Sequence, residues 1–284
     1  MRRIPLELLS VLIPVAGSLW GLLNKIRDYG DHGLTARKAF RLVVHRWSGR
    51  GEVRMSASVL LRVRAPWNDN EYLLIRGGSD DHPYWGPIGG VLKFFPSRVE
   101  TRFNEYRVER HRSAELGSDL VDDIRLVLPS RNILKFLRWF RTDQGRESID
   151  QAMFREMVEE LGPGSGIEDE SSQALGIELL RLLPKLGLEE SYPRPFVEIG
   201  NGPVLTGGDA HYFQVRYFYV VEVVQQNDFA EWLSRALSVY LGQRCCWVTS
   251  SEIRGADGPD GIPIGGHSRS LLGDPPSVPG HKRG

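Results

Sequence analysis

Two cysteines in 284 residues, and those two adjacent at Cys245 and Cys246, leave no material for a disulfide framework. A reducing compartment is the simpler setting, and the pair reads as ordinary strand residues. The chain also lacks any net charge: 36 basic residues balance 36 acidic ones. A dedicated nucleic-acid-binding protein usually carries a basic surplus, so the neutral balance argues against that class, although it does not exclude local basic stripes. There is no internal repeat. Strands and helices mix without a regular βαβ alternation, which excludes a doubly wound fold and favours an α+β class.

The N-terminus is apolar instead. Ile4 to Leu23 is interrupted by Glu7 and by Pro5 and Pro14. The run approaches the roughly 20 residues needed to cross a bilayer. Trp20 sits near one end, Arg2 and Arg3 precede the run, and Lys25, Arg27, Arg37, Lys38 and Arg41 follow it. This bias predicts a membrane anchor over residues 1–24, a single pass through the inner membrane and a cytoplasmic body. A buried or amphipathic helix is the alternative. A connector over 25–52 follows, with a short helix around Thr35 to Trp47.

Further along, Ser56 to Arg64 alternates as a strand and Glu71 to Arg76 returns, with Asn68-Asp69-Asn70 as turn chemistry. The expectation is a hairpin. A strand is expected over Asp123 to Leu128 and a helix over Ser130 to Arg141. In that helix Ile133, Leu134, Leu137 and Phe140 share one face, while Arg131, Lys135, Arg138 and Arg141 line another. The basic stripe could meet phosphates or anionic lipid, but a solvated face explains it equally. Beyond come a helix over Ser171 to Leu183, strands near Pro195–Ile199, Val215–Val224 and Arg244–Val248, a helix over Asp228–Leu241, and a disordered tail over 273–284.

The chemistry concentrates in Glu147 to Gly162. Glu156, Glu159 and Glu160 fall on one sector of a helix, with Phe154, Met157, Val158 and Leu161 roughly opposite. Like charges at i and i+4 repel by a few tenths of a kcal/mol even when exposed, and by more beside a core. A hard cation with oxygen ligands removes that cost, and Mg²⁺ accepts one or two carboxylates together with substrate phosphate oxygens. Arg155 can reach Glu147 only if Glu147 lies before the helix and folds back.

The full string is glutamate, seven residues, Arg155-Glu156, two residues, Glu159-Glu160, one residue and Gly162. It resembles the core of the Nudix box. The glycine that ordinarily stands six residues before the first glutamate is absent, because Arg141 occupies that place. The Gly-Gly that ends the preceding strand stands instead at Gly89-Gly90, within Trp85-Gly-Pro-Ile-Gly-Gly-Val. An insertion over about residues 91–145 therefore splits the box. The split box, Phe94-Phe95, Leu137-Arg138-Trp139-Phe140 and the ending from Trp247 to Leu272 resemble the Nudix effector domains associated with bacterial cyclic-oligonucleotide synthases in antiphage (CBASS-type) defence.

This resemblance implies an α+β Nudix fold over 53–272, a mixed sheet sandwiched between helices. It implies a Nudix-type pyrophosphohydrolase acting on a nucleoside diphosphate derivative as a defence effector. Mg²⁺ or Mn²⁺ would be held by Glu156, Glu159, Glu160 and the Gly89 carbonyl, with Glu147 and Arg155 bracing the loop and helix. Gly89 and Gly90 would lie against substrate. A cyclic oligonucleotide as activator and a homo-oligomer are compatible with it. A catalytically silent sensor of a nucleotide or cyclic oligonucleotide, signalling through the membrane segment, is the rival. Glu222, Glu189 and Glu190 stand open as general bases. Trp85 and Tyr84 both offer rings to a base; aromatics beside a Gly-Gly strand end are more often core, and Trp85 is the stronger candidate of the two. His211 and His267 lack ligand spacing and read as structural. Gly207-Gly208 reads as a turn.

Overall fold

The computed structural model describes residues 34–47, 51–79, 81–110, 122–161, 187–192, 195–202, 212–224, 226–236 and 244–273, with a few positions near 21–28 and 181–182. The apolar segment expected as an anchor lies outside the described residues apart from single positions, as do most of the helix expected over Ser171–Leu183, His211, Gly207-Gly208 and the tail beyond Gly273. Among the described residues no helix is long and apolar enough to cross a membrane, so the single-pass anchor gains no support.

The architecture is mixed α+β and is organised around one strand. β1 (Glu52–Leu61) runs parallel to β10 (Tyr212–Val223) from Val53↔Phe213 to Leu61↔Val221. On its other side β1 is antiparallel to β7 (Arg125–Pro129) over its first half, and to β5 (Gly89–Val91) over its second. β6 (Glu109–Arg110), β8 (Leu188–Glu190) and β9 (Phe196–Gly202) complete a seven-stranded mixed sheet. A second, four-stranded sheet holds β2 (Arg64–Ala65), β3 (Asn68–Ser79), β4 (His82–Gly86) and β11 (Cys245–Thr249).

The alternation of β1 explains both cores. Val53, Met55, Ala57, Val59 and Leu61 are almost fully buried and project to one face. There they join apolar residues of α1 (Ala36–Trp47), α2 (Pro96–Tyr106), α3 (Ile133–Phe140), α4 (Ile149–Leu161) and α5 (Gln226–Ala236) in the main cluster. Leu60 projects to the opposite face. It packs with Phe218 and Val220 against Leu74, Trp85 and Val248 of the second sheet, and against Ile253 of α6 (Ser250–Gly255), Ile264 and Leu271. The large sheet is therefore covered by helices on one face and partly by another sheet on the other, rather than by helices on both. Cys245 and Cys246 are buried free thiols, one in each core, as ordinary strand residues would be.

The expected hairpin forms differently. The strand beginning near Ser56 stays in the large sheet, and only Arg64–Ala65 pairs with β3. Arg62 is the reason for the switch. Its N–H donates to Val221 O at 2.8 Å, and its guanidinium pairs with Glu222, so the chain is pinned to β10 before it crosses over. The turn chemistry stands: Asn68 Oδ1 accepts from the Asn70 N–H at 3.1 Å.

The insertion is built into the fold rather than laid over it. β7 adds a strand directly to β1, and α3 buries Ile133, Leu134, Phe136, Leu137, Trp139 and Phe140. Phe103, Phe136, Trp139 and Phe140 meet ring to ring, with centroids 5.1–6.5 Å apart across this group. Arg131, Lys135, Arg138 and Arg141 are exposed, and Lys135 and Arg138 face Glu105 and Asp28 at 3.4 and 3.7 Å, the behaviour of a solvated face. Phe136→Ala should therefore destabilise the whole domain by about 3–5 kcal/mol in urea unfolding. A change below about 1 kcal/mol would show the insertion to be a detachable cover.

Candidate active site

The glutamate helix α4 begins with a reciprocal cap. Ser148 Oγ accepts from Gln151 N–H at 3.2 Å and Gln151 Oε1 accepts from Ser148 N–H at 3.0 Å. Ala152, Met153, Met157 and Leu161 turn into the main core, which fixes the rotation of the helix about its axis. That rotation aims Glu156, Glu159 and Glu160 at the end of β5.

Two glycines make the approach possible. Gly89 has φ +148°, and a Cβ there would stand 2.1 Å from Val59 O. A Cβ on Gly90 would stand 2.2 Å from the Glu156 carboxylate, so Glu156 occupies the space where a side chain would be. Gly89 N–H donates to Glu160 Oε2 at 2.8 Å.

Arg155 binds the rest. Its Nε and Nη2 donate to the two oxygens of Glu147 at 2.9 and 3.0 Å, a bidentate pair. Nη1 donates to Glu156 Oε1 at 2.6 Å and Glu159 Oε2 at 3.1 Å, and Nη2 also donates to Val91 O at 2.9 Å. Glu147 accepts from Lys93 N–H at 2.9 Å, so it lies before the helix and folds back, as its spacing from Arg155 requires. Burial works against the Arg155 charge, but Glu147 and Glu156 overcome it and raise its pKa.

The carboxylates respond in the opposite sense. Burial pushes Glu160 up to about 8; the Gly89 hydrogen bond opposes this while Glu156 and Glu159 add to it. Burial raises Glu156 as well, against the pull of Arg155. Among the described residues no three acidic, histidine or cysteine side chains converge closely enough to form a ready-made metal cage. The donor set nevertheless suits a hard divalent cation. It offers three neighbouring carboxylates that are costly to ionise together, and a backbone carbonyl at Gly89, whose conformation favours glycine.

A pocket of about 380 Å³ opens beside these groups, lined by Glu159, Glu160, Gly89, Gly86, Arg76, Tyr84 and His267. Here the aromatic expectation is corrected. Trp85 is 0 % exposed, with its N–H on Pro263 O and its indole Nε1 on Pro259 O at 3.4 Å, and so presents no face to a ligand. Tyr84, on the opposite side of β4, is 37 % exposed and lies edge-on to His267 at 5.9 Å between centroids. His267 comes from the 3-10 turn Gly266–Leu272, and burial, with Arg216 assisting, holds it down to about 4. It is a neutral imidazole at neutral pH.

The three distant general-base candidates do not line the pocket. Glu222 is buried and paired with Arg62 and Arg64. Glu189 stands opposite it in the β8 register, and Glu190 has neighbouring Asp143 and Asp150, away from the glutamates of the helix. One carboxyl went unmarked in the sequence. Asp123, bridged in register to Lys93, is 5 % exposed and pushed up to about 6 by burial, against Arg125, Lys93 and Arg155.

The Glu160 shift has a consequence for the metal-free protein. The folded-state pKa of about 8 lies above the ordinary carboxylate value, so the folded state holds more protons and stability falls as pH rises from about 4.5 to 8. Glu160→Gln keeps an acceptor for Gly89 N–H and removes the titration. In EDTA it should be more stable than the parent at pH 8, on the order of a few kcal/mol, and nearly equal at pH 4.5. Equal stability at both pH values would refute the desolvation of the Glu160 carboxyl.

A family model described as SMODS-associated NUDIX domain matches residues 52–272. No curated protein and no solved structure gives a significant match.

Proposed function

The chain belongs to the SMODS-associated NUDIX domain family, and from that premise we propose that it is a metal-dependent Nudix hydrolase cleaving a nucleoside diphosphate derivative. The observation that carries this reading is the Arg155 network, which presents the helix carboxylates at the rim of a pocket. Glu156, Glu159, Glu160 and the Gly89 carbonyl would hold Mg²⁺ or Mn²⁺. When bound, the cation neutralises diphosphate oxygens and acidifies water.

The protein groups supply orientation and a proton acceptor. Arg155 and Glu147 fix the loop to the helix, so the carboxylates keep their spacing without a ligand. Glu159 and Glu160 are the two carboxylates that line the pocket, and water attacking phosphorus there would give its proton to one of them. The bridging P–O bond breaks and the departing phosphate carries away the electron pair. Tyr84 offers a ring face for a base, and Arg76 a cation for the sugar-phosphate.

The association of this family with SMODS supports a role as an effector in nucleotide-signalled antiviral defence. A silent sensor is the rival reading, favoured by one fact: Glu156 and Glu159 are already held by Arg155. Turnover separates the two. Glu159 has a half-exposed side chain, so Glu159→Gln should leave the fold intact. It should lower Mg²⁺-dependent release of phosphate-containing products by more than about 100-fold across a panel of nucleoside diphosphate compounds, beyond the loss typical of an outer-sphere change. A parent protein without turnover on any of them, yet binding a nucleotide, would establish the sensor instead.

A further inference from the structure

One face of the seven-stranded sheet carries a cationic cluster that diphosphate cleavage leaves unused. Ser56 on β1 pairs with Arg125 on β7 on one side and with Arg216 on β10 on the other, so all three project to the same face. Arg54, two residues earlier on β1, shares that face and stands opposite Gln214. Arg54 Nη1 donates to Gln214 Oε1 at 3.1 Å, and Arg216 Nε and Nη2 donate to the same oxygen at 3.0 and 2.8 Å. Two guanidinium groups thus converge on one neutral amide oxygen.

Among the described residues the charge around them is not balanced. Among the described residues two carboxylates form ion pairs with the cluster, both at its margins: Asp123 is 3.5 Å from Arg125, and Glu198 is 3.8 Å from Arg216. Arg54 is 7 % exposed and pairs with neither. Burial, with Arg216 and Arg125 beside it, pushes Arg54 down to about 10. Burial also raises both Asp123 and Glu198, against the pull of Arg125 and Arg216. Three like charges gathered on a partly desolvated face cost stability, and an apolar strand surface would avoid that cost. An anion offsets it. Guanidinium forks match phosphate oxygens two at a time, and the Ser56 hydroxyl lies between Arg125 and Arg216 as a further donor.

The field of the cluster reaches the pocket. Arg125 acts electrostatically on the Tyr84 phenol, and Arg216 on the His267 imidazole. Both rings line the cavity that Glu159 and Glu160 edge. A ligand spanning the two regions meets carboxylates at one end, an aromatic ring beside them and arginines at the other.

Resting on the hydrolase reading, we propose that the substrate is a nucleotide bearing a phosphate ester in addition to the diphosphate that is cleaved. Its base lies against Tyr84 and the additional phosphate is held by Arg54, Arg125 and Arg216. The arginines then select for a second phosphate position and take no part in bond breaking.

The test is calorimetric titration of the full chain in EDTA with adenosine 3′,5′-bisphosphate and with AMP, two probes that differ by one phosphate. The bisphosphate should bind more tightly by about tenfold or more, the worth of one charge-assisted contact. Arg125→Gln and Arg216→Gln, each on a partly exposed strand position, should reduce that ratio to within about threefold. Thermal melting of each variant checks that it folds. Equal affinity of the parent for the two probes, binding of neither, or a preference that survives both substitutions overturns the proposal. The parent comparison alone decides it if a variant fails to fold. Because every titration is metal-free, loss of the hydrolase reading in the Mg²⁺ turnover assay leaves this result distinguishable.

Discussion

One guanidinium ties the site to the fold. Arg155 spends its donors on Glu147, Glu156, Glu159 and the Val91 carbonyl, so it joins the loop before the helix, the helix itself and the edge of β5. None of these attachments is strong alone, because hydrogen bonds to charged groups contribute about 1.5–3 kcal/mol each. Together they settle an electrostatic problem that packing creates. Met153, Met157 and Leu161 bury one side of α4, and the same rotation drives Glu156 against Gly90, where it is 8 % exposed. An unpaired carboxylate in that position would be expensive. The cation that compensates it sits on the neighbouring residue of the same helix. The catalytic arrangement and the stability of the helix–strand contact therefore depend on the same side chain.

β1 distributes this arrangement across the molecule. Its alternate residues serve two environments at once. Val53, Met55, Ala57 and Val59 meet the helices, including α4, whereas Arg54 and Ser56 carry the cationic face and Leu60 meets the second sheet. The β5 strand that presents Gly89 and Gly90 to the glutamates is paired to the latter half of β1, and β7 to the first half. A one-residue slip in the β7 pairing would exchange its faces and move Arg125 into the apolar core. The burial of α3 against the main cluster helps to prevent it, which gives the residues between the two halves of the box a structural task before any functional one.

Much of the glutamate site was legible because it is local. The glutamates share a helix, and Glu147 can meet Arg155 by one fold of the chain. The aromatic assignment inverted for a reason equally local. Tyr84 and Trp85 are consecutive on a strand and must point to opposite faces, but the pattern does not state which face is filled. Gly258, Pro259 and Ile264 settle the matter by packing on Trp85 from the far end of the chain. His267 and the arginine cluster were hidden in the same way. Arg54, Arg125 and Arg216 become neighbours only through register across three strands, and no spacing along the chain records that.

The position of the cluster shifts where selectivity resides. A segment splitting the box would be expected to cover the glutamates and choose what reaches them. Its helix α3 instead faces the core and its basic stripe faces outward, so those parts choose nothing at the site. What the segment does deliver is the start of β7, where Asp123 pairs with Arg125 and Arg125 stands across Ser56 from Arg216. A solvated metal and a diphosphate are common to any substrate of such a site and cannot discriminate among them. Discrimination requires groups that one ligand satisfies and another leaves unpaired. A face where two buried or half-buried arginines share a single amide oxygen meets that requirement, because it favours a ligand with an additional anionic group over one that leaves the cations uncompensated.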